Sequence, residues 1–194
     1  MTVIRVNPAS VVAYGNSATE IFGRMHSELE NLVSMVTEVQ YYGPNAVDFK
    51  TRCGTLAQTF AQSIHADMAA MADAVRVSVS NIQGSLGGAQ VHIQVDGKTI
   101  EAPAVASVDF VDVDTTALEA LGPSVTTRFA TLEGLLDDHV SRLTQTDWEG
   151  NAKVQAVTSV NTSTTQAKAR CMEGREQITT YIDNQLAAVL AADR

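Results

Sequence analysis

Trp148-Glu149-Gly150 contains the only tryptophan of the chain and stands between two long helical patterns. Tyr41-Tyr42-Gly43 stands 107 residues earlier in the same kind of place. Each triplet reads aromatic-x-Gly, and each is followed within one or two residues by Asn-Ala, as Asn45-Ala46 and Asn151-Ala152. A bulky aromatic ending one helix covers exposed core at a bend, and the glycine two residues on supplies backbone geometry that other residues resist. The repeat of this device predicts two helical hairpins.

The flanks agree. Residues 8–40 read as one helix, with Asn7 as N-cap and Pro8 in the first turn. Its apolar stripe is Val11, Tyr14, Ala18, Ile21, Met25, Leu29, Leu32, Val36 and Val39, in steps of three or four. Pro44 disfavours helix at Gly43 and stops it. Residues 45–83 form a second helix with its stripe from Ala46, Phe49, Cys53 and Leu56 to Val75, Val79 and Ile82. It ends at Gly84, Gly87 and Gly88. Asp114 or Thr115 caps a third helix, and Gly122-Pro123 breaks or restarts it. From Pro123 its stripe runs Val125, Phe129, Leu132, Leu135/Leu136, Val140 and Leu143. Residues 151–192 form the fourth helix, with Val154, Val157, Asn161, Thr164, Ala167, Cys171, Ile178, Ile182, Leu186 and Val189 on its stripe. Its middle, Asn161 to Thr165, is polar and β-branched and is the weakest helical stretch.

Residues 89–114 differ. Val91-His92-Ile93-Gln94-Val95 alternates with period two, and Asp96-Gly97 precedes Lys98-Thr99-Ile100-Glu101. Asp-Gly between alternating segments predicts a β-hairpin over 91–101. Pro103 ends it, and Val108 to Val113 adds a third strand or an extended crossing. The expected organisation is a first helical hairpin at 1–88, a linker with a β-hairpin at 89–114, and a second helical hairpin at 115–194. Neither hairpin can bury its stripes alone, so the fold class is all-α: an antiparallel four-helix bundle from two helical hairpins, with a small β-hairpin insertion in the linker.

Composition narrows the function. The net charge is −9 and the 13 basic residues are scattered singly. That excludes the clustered cations of a nucleic-acid or basic membrane-binding face. No basic-then-apolar leader opens the chain, and no apolar run is long enough to span a bilayer. His26, His65, His92 and His139 are isolated, with no metal-ligand spacing, and read as solvated or rim residues. Gly84-Ser85-Leu86-Gly87-Gly88 has the wrong spacing for a nucleophile elbow. Asp137-Asp138 reads as a solvated face. Asp109, Asp112 and Asp114 read as a capped loop without the glycine and closing glutamate of a calcium loop. No cofactor, metal or catalytic residue is expected.

Two near-equal helices joined at Trp-x-Gly resemble the WXG family, the small helical hairpins of the early-secreted-antigen type. Actinobacteria and other Gram-positive bacteria export them by type VII secretion. The second half carries the motif at Trp148 and Gly150, and the first half a degenerate form at Tyr41 and Gly43. Family members pair as dimers of hairpins, so the resemblance implies a dimer fused in tandem, monomeric through intramolecular pairing. It also implies a non-enzymatic secretion substrate or co-secreted partner. Its partners would be the secretion machinery or a co-secreted protein, and it would reach the medium or cell surface without a signal peptide. The alternative is an intracellular adaptor bundle that is not exported. The family's export signal, Tyr-x-x-x-Asp/Glu, has a degenerate counterpart at Tyr181, whose fourth-following residue is Gln185.

Cys53 and Cys171 fall on core stripes. Cys53 lies ~15 Å past the first bend and Cys171 ~31 Å past the second at 1.5 Å per residue. Antiparallel hairpins with tips at opposite ends would bring them level. Two readings stand: a disulfide, implying an oxidising destination, or two buried thiols acting as small apolar residues.

Overall fold

The computed structural model describes residues 4–88 and 90–192, without the side chains of residues 85 and 86. Among them are four helices: α1 (Pro8–Glu38), α2 (Pro44–Leu86), α3 (Thr115–Gln145) and α4 (Asn151–Ala192). Four two-residue strands accompany them, β1 (Arg5–Val6), β2 (Tyr41–Tyr42), β3 (Asp112–Val113) and β4 (Trp148–Glu149). The fold is an all-α four-helix bundle carrying two small antiparallel sheets.

The chain divides into two compact units, and neither is a hairpin. Unit 1 gathers Met1–His26, Ile64–Gly97 and Glu133–Ala169; unit 2 gathers Ser27–Ser63, Lys98–Leu132 and Arg170–Arg194. Each therefore contains a segment of all four helices and one aromatic bend. The physical reason lies in the stripes: in both units, side chains of one hairpin pack on the other. In unit 1, Met71 of α2 meets Thr164 of α4, whose hydroxyl lies 3.9 Å from the thioether sulfur. In unit 2, Phe60 of α2 packs on Phe129 of α3 with ring centroids 4.6 Å apart. A Cβ at Gly174 of α4 would lie 2.8 Å from the Phe60 ring, so only glycine fits there.

The stripe of α1 is buried as its spacing predicts, and so is that of α2 apart from Leu56 and Ile82, which are half-buried. α3 is continuous through Pro123; Pro123 has no N–H to donate, and Thr126 and Thr127 back-bond to the Gly122 and Pro123 carbonyls at 3.1 Å. α4 is helical throughout, but its first turns face differently from the expected stripe. Ala156 and Val160 are buried while Val154 is 63% exposed. A strip of small residues carries the contact there, which a hydrophobicity pattern underweights. Thr162 and Thr165 satisfy their hydroxyls on carbonyls four residues back, so the polar β-branched middle stays helical.

The hairpin expected at 91–101 does not form: residues 90–111 have no strand. The alternation is nevertheless real, because Val91, Ile93 and Ile100 are buried. They pack on helices rather than on a second strand. In unit 1, the Gln94 N–H donates to Thr19 Oγ1 at 3.0 Å and Arg76 Nη2 donates to the Ile93 carbonyl at 2.7 Å. In unit 2, the Ala102 N–H donates to Gln58 Oε1 at 3.4 Å. Side chains of α1 and α2 thus satisfy backbone groups that a hairpin would have paired. Gly97 is not among the positive-φ glycines, so the tight turn that Asp-Gly favours is absent.

Residues 90–111 form a strap that sets opposite signs for two glycines of α1. A Cβ at Gly15 would meet the His92 carbonyl oxygen at 2.8 Å and Val91 Cγ2 at 2.9 Å, whereas a Cβ at Gly23 meets nothing within 4 Å. Gly23→Ala is expected to stabilise by about 0.5–1 kcal/mol through helix propensity. Gly15→Ala is expected to destabilise by about 1 kcal/mol or more, because overpacking against a backbone carbonyl outweighs that gain. Urea denaturation of the two variants checks the pair; a shared sign would contradict the strap's placement.

Candidate functional site

In unit 1, α3 ends at Gln145 and the chain turns through Trp148. The Trp148 N–H donates to the Thr146 carbonyl at 2.8 Å, and Gly150 has φ 126°. The Val154 N–H then donates to the Gly150 carbonyl at 3.2 Å as α4 begins. β4 pairs with β1, Arg5 opposite Glu149 and Val6 opposite Trp148, and the Asn7 N–H donates to the Asp147 carbonyl at 2.9 Å. Asn7 Oδ1 accepts from the Ala9 and Ser10 N–H groups and caps α1. Lys153 Nζ donates to the Thr144 and Thr146 carbonyls at 2.9 and 2.7 Å, satisfying orphan acceptors at the C-terminus of α3.

Unit 2 repeats this construction with the roles of the hairpins exchanged. The Tyr41 N–H donates to the Val39 carbonyl at 2.8 Å, Gly43 has φ 121°, and the Val47 N–H donates to the Gly43 carbonyl at 3.2 Å. β2 pairs with β3, Tyr41 opposite Val113 and Tyr42 opposite Asp112, and the Asp114 N–H donates to the Gln40 carbonyl at 2.9 Å. Asp114 Oδ1 accepts from the Ala117 N–H and caps α3. The same backbone pattern recurs at the same sequence offset. The doubled triplet is therefore a doubled structure, down to the strand that precedes each hairpin.

The two bends differ in how they satisfy the aromatic's polar atom. Trp148 is buried, and its indole N–H finds no acceptor among the described residues. Tyr41 is also buried, but Gln185 Nε2 donates to its hydroxyl at 2.8 Å. Tyr181, one helical turn before Gln185, stacks on Phe49 at 5.6 Å with an interplanar angle of 11°, and Phe49 packs on Tyr41 at 5.9 Å. Burial, and after it the Asp48 carboxylate, raise the Tyr181 phenol above its ordinary pKa. Unit 2 thus gathers Tyr41, Gly43, Tyr181 and Gln185 into one site. Trp148 and Gly150 belong to the bend of unit 1.

Cys53 and Cys171 are both buried in unit 2 and no disulfide occurs among the described residues. Burial pushes the Cys53 thiol up to about 12, so it is not a nucleophile at neutral pH.

The histidines need correction. His139 is fully buried and His26 is 4% exposed, so neither is a solvated or rim residue. The Tyr14 hydroxyl and His139 Nε2 are 2.8 Å apart inside unit 1, with the Phe22 ring 4.7 Å from the imidazole. His26 and His65 face each other at 6.4 Å, and Asp96 reaches both: its carboxylate lies 3.7 Å from His26 Nε2 and its carbonyl hydrogen-bonds His65 Nε2. No three His, Cys, Asp or Glu residues among those described are placed to hold a metal ion.

Sequence reading missed strand β1, Phe49 as the ring between Tyr41 and Tyr181, and the buried lysine Lys50; it placed β3 only within the longer segment Val108 to Val113, read as a third strand or an extended crossing. One signal was available for the strands: Arg5-Val6-Asn7 and Asp112-Val113-Asp114 share the pattern x-Val-cap at the offset of the two triplets. No described helix is long and apolar enough to cross a membrane. Comparison with protein-family models, curated proteins and solved structures finds no match for this chain.

Proposed function

We propose that this chain is a tandem WXG-like protein, a non-enzymatic substrate of type VII secretion or the co-secreted partner of one. It acts by helical packing and by presenting its bends to another protein. The observation that carries the reading is the site in unit 2. Tyr181 and Gln185, the positions matching the family's export signal, contact the aromatic bend through the Gln185–Tyr41 hydrogen bond and the Phe49 stack. The repeated bend construction supports the tandem part of the reading. On it, the chain is made in the cytoplasm and reaches the medium or cell surface.

The departure from the family pattern supplies the test. Gln185→Glu completes Tyr-x-x-x-Glu, and a glutamate there accepts a hydrogen bond from the Tyr41 hydroxyl, so the contact survives. In a Gram-positive host with a type VII system, immunoblots of cells and medium are expected to show chain in the medium only when the secretion ATPase is intact. Gln185→Glu should raise the secreted fraction several-fold and Tyr181→Ala should lower it as much. Equal distribution of all three variants, with or without the ATPase, would reject the proposal. The second reading is an intracellular adaptor bundle; a free-thiol count of two at Cys53 and Cys171 is one mark of it, because reduced cysteines suit the cytosol. Retention in the cell fraction under every condition is its signature.

A further inference from the structure

Unit 2 contains a cavity of about 270 Å³ between the start of α2 and residues 103–108. Tyr41, Tyr42, Val47, Val105 and Val108 give it an apolar wall. One cation stands in that wall. Lys50 is only 6% exposed, yet it has no hydrogen bond or ion pair among the described residues. Its ammonium lies 4.8 Å from the centre of the Tyr42 ring, a cation–π contact. Burial lowers its pKa below that of an ordinary lysine. The other lysines, Lys98, Lys153 and Lys168, all have carboxylate or carbonyl partners. Lys50 is the exception, and it faces a space large enough for a ligand.

We infer that this cavity is a binding site for a small aliphatic monocarboxylate, with Lys50 as its counter-ion and the apolar wall holding the aliphatic body. The charge count selects the class. One ammonium matches one carboxylate. The size agrees, since the volume lies just below the ~300–1,000 Å³ of drug-sized sites. Thr37 also lines the cavity, but its hydroxyl already donates to the Val33 carbonyl at 2.9 Å, so the lysine carries the recognition. A short free acid and the last residue of a peptide share this chemistry. The site is independent of whether the chain is exported.

The test is calorimetric titration of the full chain with acetate, butanoate, hexanoate and decanoate, with hexanamide as the uncharged control. A peptide ending in valine, as acid and as amide, extends the series. Affinity should rise about fourfold per methylene and then stop once the cavity is full. Hexanamide should bind at least tenfold more weakly than hexanoate, the size of one charge-assisted hydrogen bond. Lys50→Met should weaken hexanoate at least tenfold. Val105→Phe, which fills the cavity from the partly exposed strap and keeps the lysine, should abolish binding. Tight binding of the acid peptide assigns the site to a chain terminus, and binding of hexanoate alone assigns it to a free acid; both support the inference. No saturable binding by any carboxylate, no dependence on chain length, or undiminished binding in folded Lys50→Met or Val105→Phe would overturn it.

Discussion

Trp148→Ala is expected to lower the stability of the chain by about 3–5 kcal/mol, the range for truncating a fully buried aromatic. Trp148 is 2% exposed and heads the buried side chains by volume. Its ring stands with Val6, Pro8, Val11 and Val79, residues of β1, α1 and α2, so truncation opens a cavity where several elements of unit 1 meet. For a protein of this size the loss is on the order of 10 °C in melting temperature. It is also a large fraction of a total that seldom exceeds ~15 kcal/mol. Thermal and urea unfolding followed by circular dichroism measures it; a loss below about 1 kcal/mol would remove the tryptophan from the core of the bend. Gly150→Ala should cost about 1–3 kcal/mol by a separate route, because φ 126° is strained for any side chain. Gly43→Ala should cost more than Gly150→Ala. Beyond its φ of 121°, a Cβ there meets Val111 Cγ2 at 3.1 Å.

Stability is also expected to fall by about 3 kcal/mol as the pH drops from 7 to 4, through His139 alone. Burial lowers its pKa to about 4, the nearby Asp138 opposing that change, while the unfolded imidazole titrates near its ordinary value of 6.5. Between those values the unfolded chain binds the extra proton and the folded chain does not. The contribution is therefore fully present above about 6.5 and is lost progressively as the pH falls towards 4, at about 1.4 kcal/mol for each pH unit between the two values. Tyr14 holds the neutral form in place: its hydroxyl is hydrogen-bonded to Nε2, and burial raises the phenol's pKa, so it stays protonated. The variant that isolates the effect is Tyr14→Phe with His139→Phe, which removes both buried polar partners together. Its unfolding free energy should vary less with pH between 4 and 6.5 than that of the wild type, by about the stated amount. Identical pH profiles would show that His139 is not buried neutral in solution.

The residues divide by how far their reasons reach along the chain. The helices, their caps and the bends at Gly43 and Gly150 were legible because three- and four-residue spacing, Asn7, Asp114 and aromatic-x-Gly are local signals. Strand β1 was not, and β3 only as part of Val108 to Val113, since two residues carry no periodicity and each pairs with a bend more than 60 residues away. The strap shows a signal half read. Period-two burial at Val91 and Ile93 was correct, but alternation says only that one face is covered, not whether a strand or a helix covers it. At the candidate site, Tyr181 and Gln185 were identifiable as residues, whereas their contact with Tyr41 was not. Lys50 gave no warning either: in the sequence it is one charge beside an apolar stripe, and only folding places it against the Tyr42 ring.

The sequence by itself determined four helices, two glycine bends and an acidic chain with no concentrated basic face, because backbone geometry, amphipathic period and charge are properties of short segments. The tertiary structure alone decided that the compact units cut across the hairpins, that residues 90–111 lie as a strap, and that both cysteines are buried in one unit. It also paired Tyr14 with His139 and left Lys50 without a counter-charge. Those outcomes depend on which distant surfaces exclude water from one another, and burial sets the cost of a charge or an unpaired donor only after packing has chosen its neighbours.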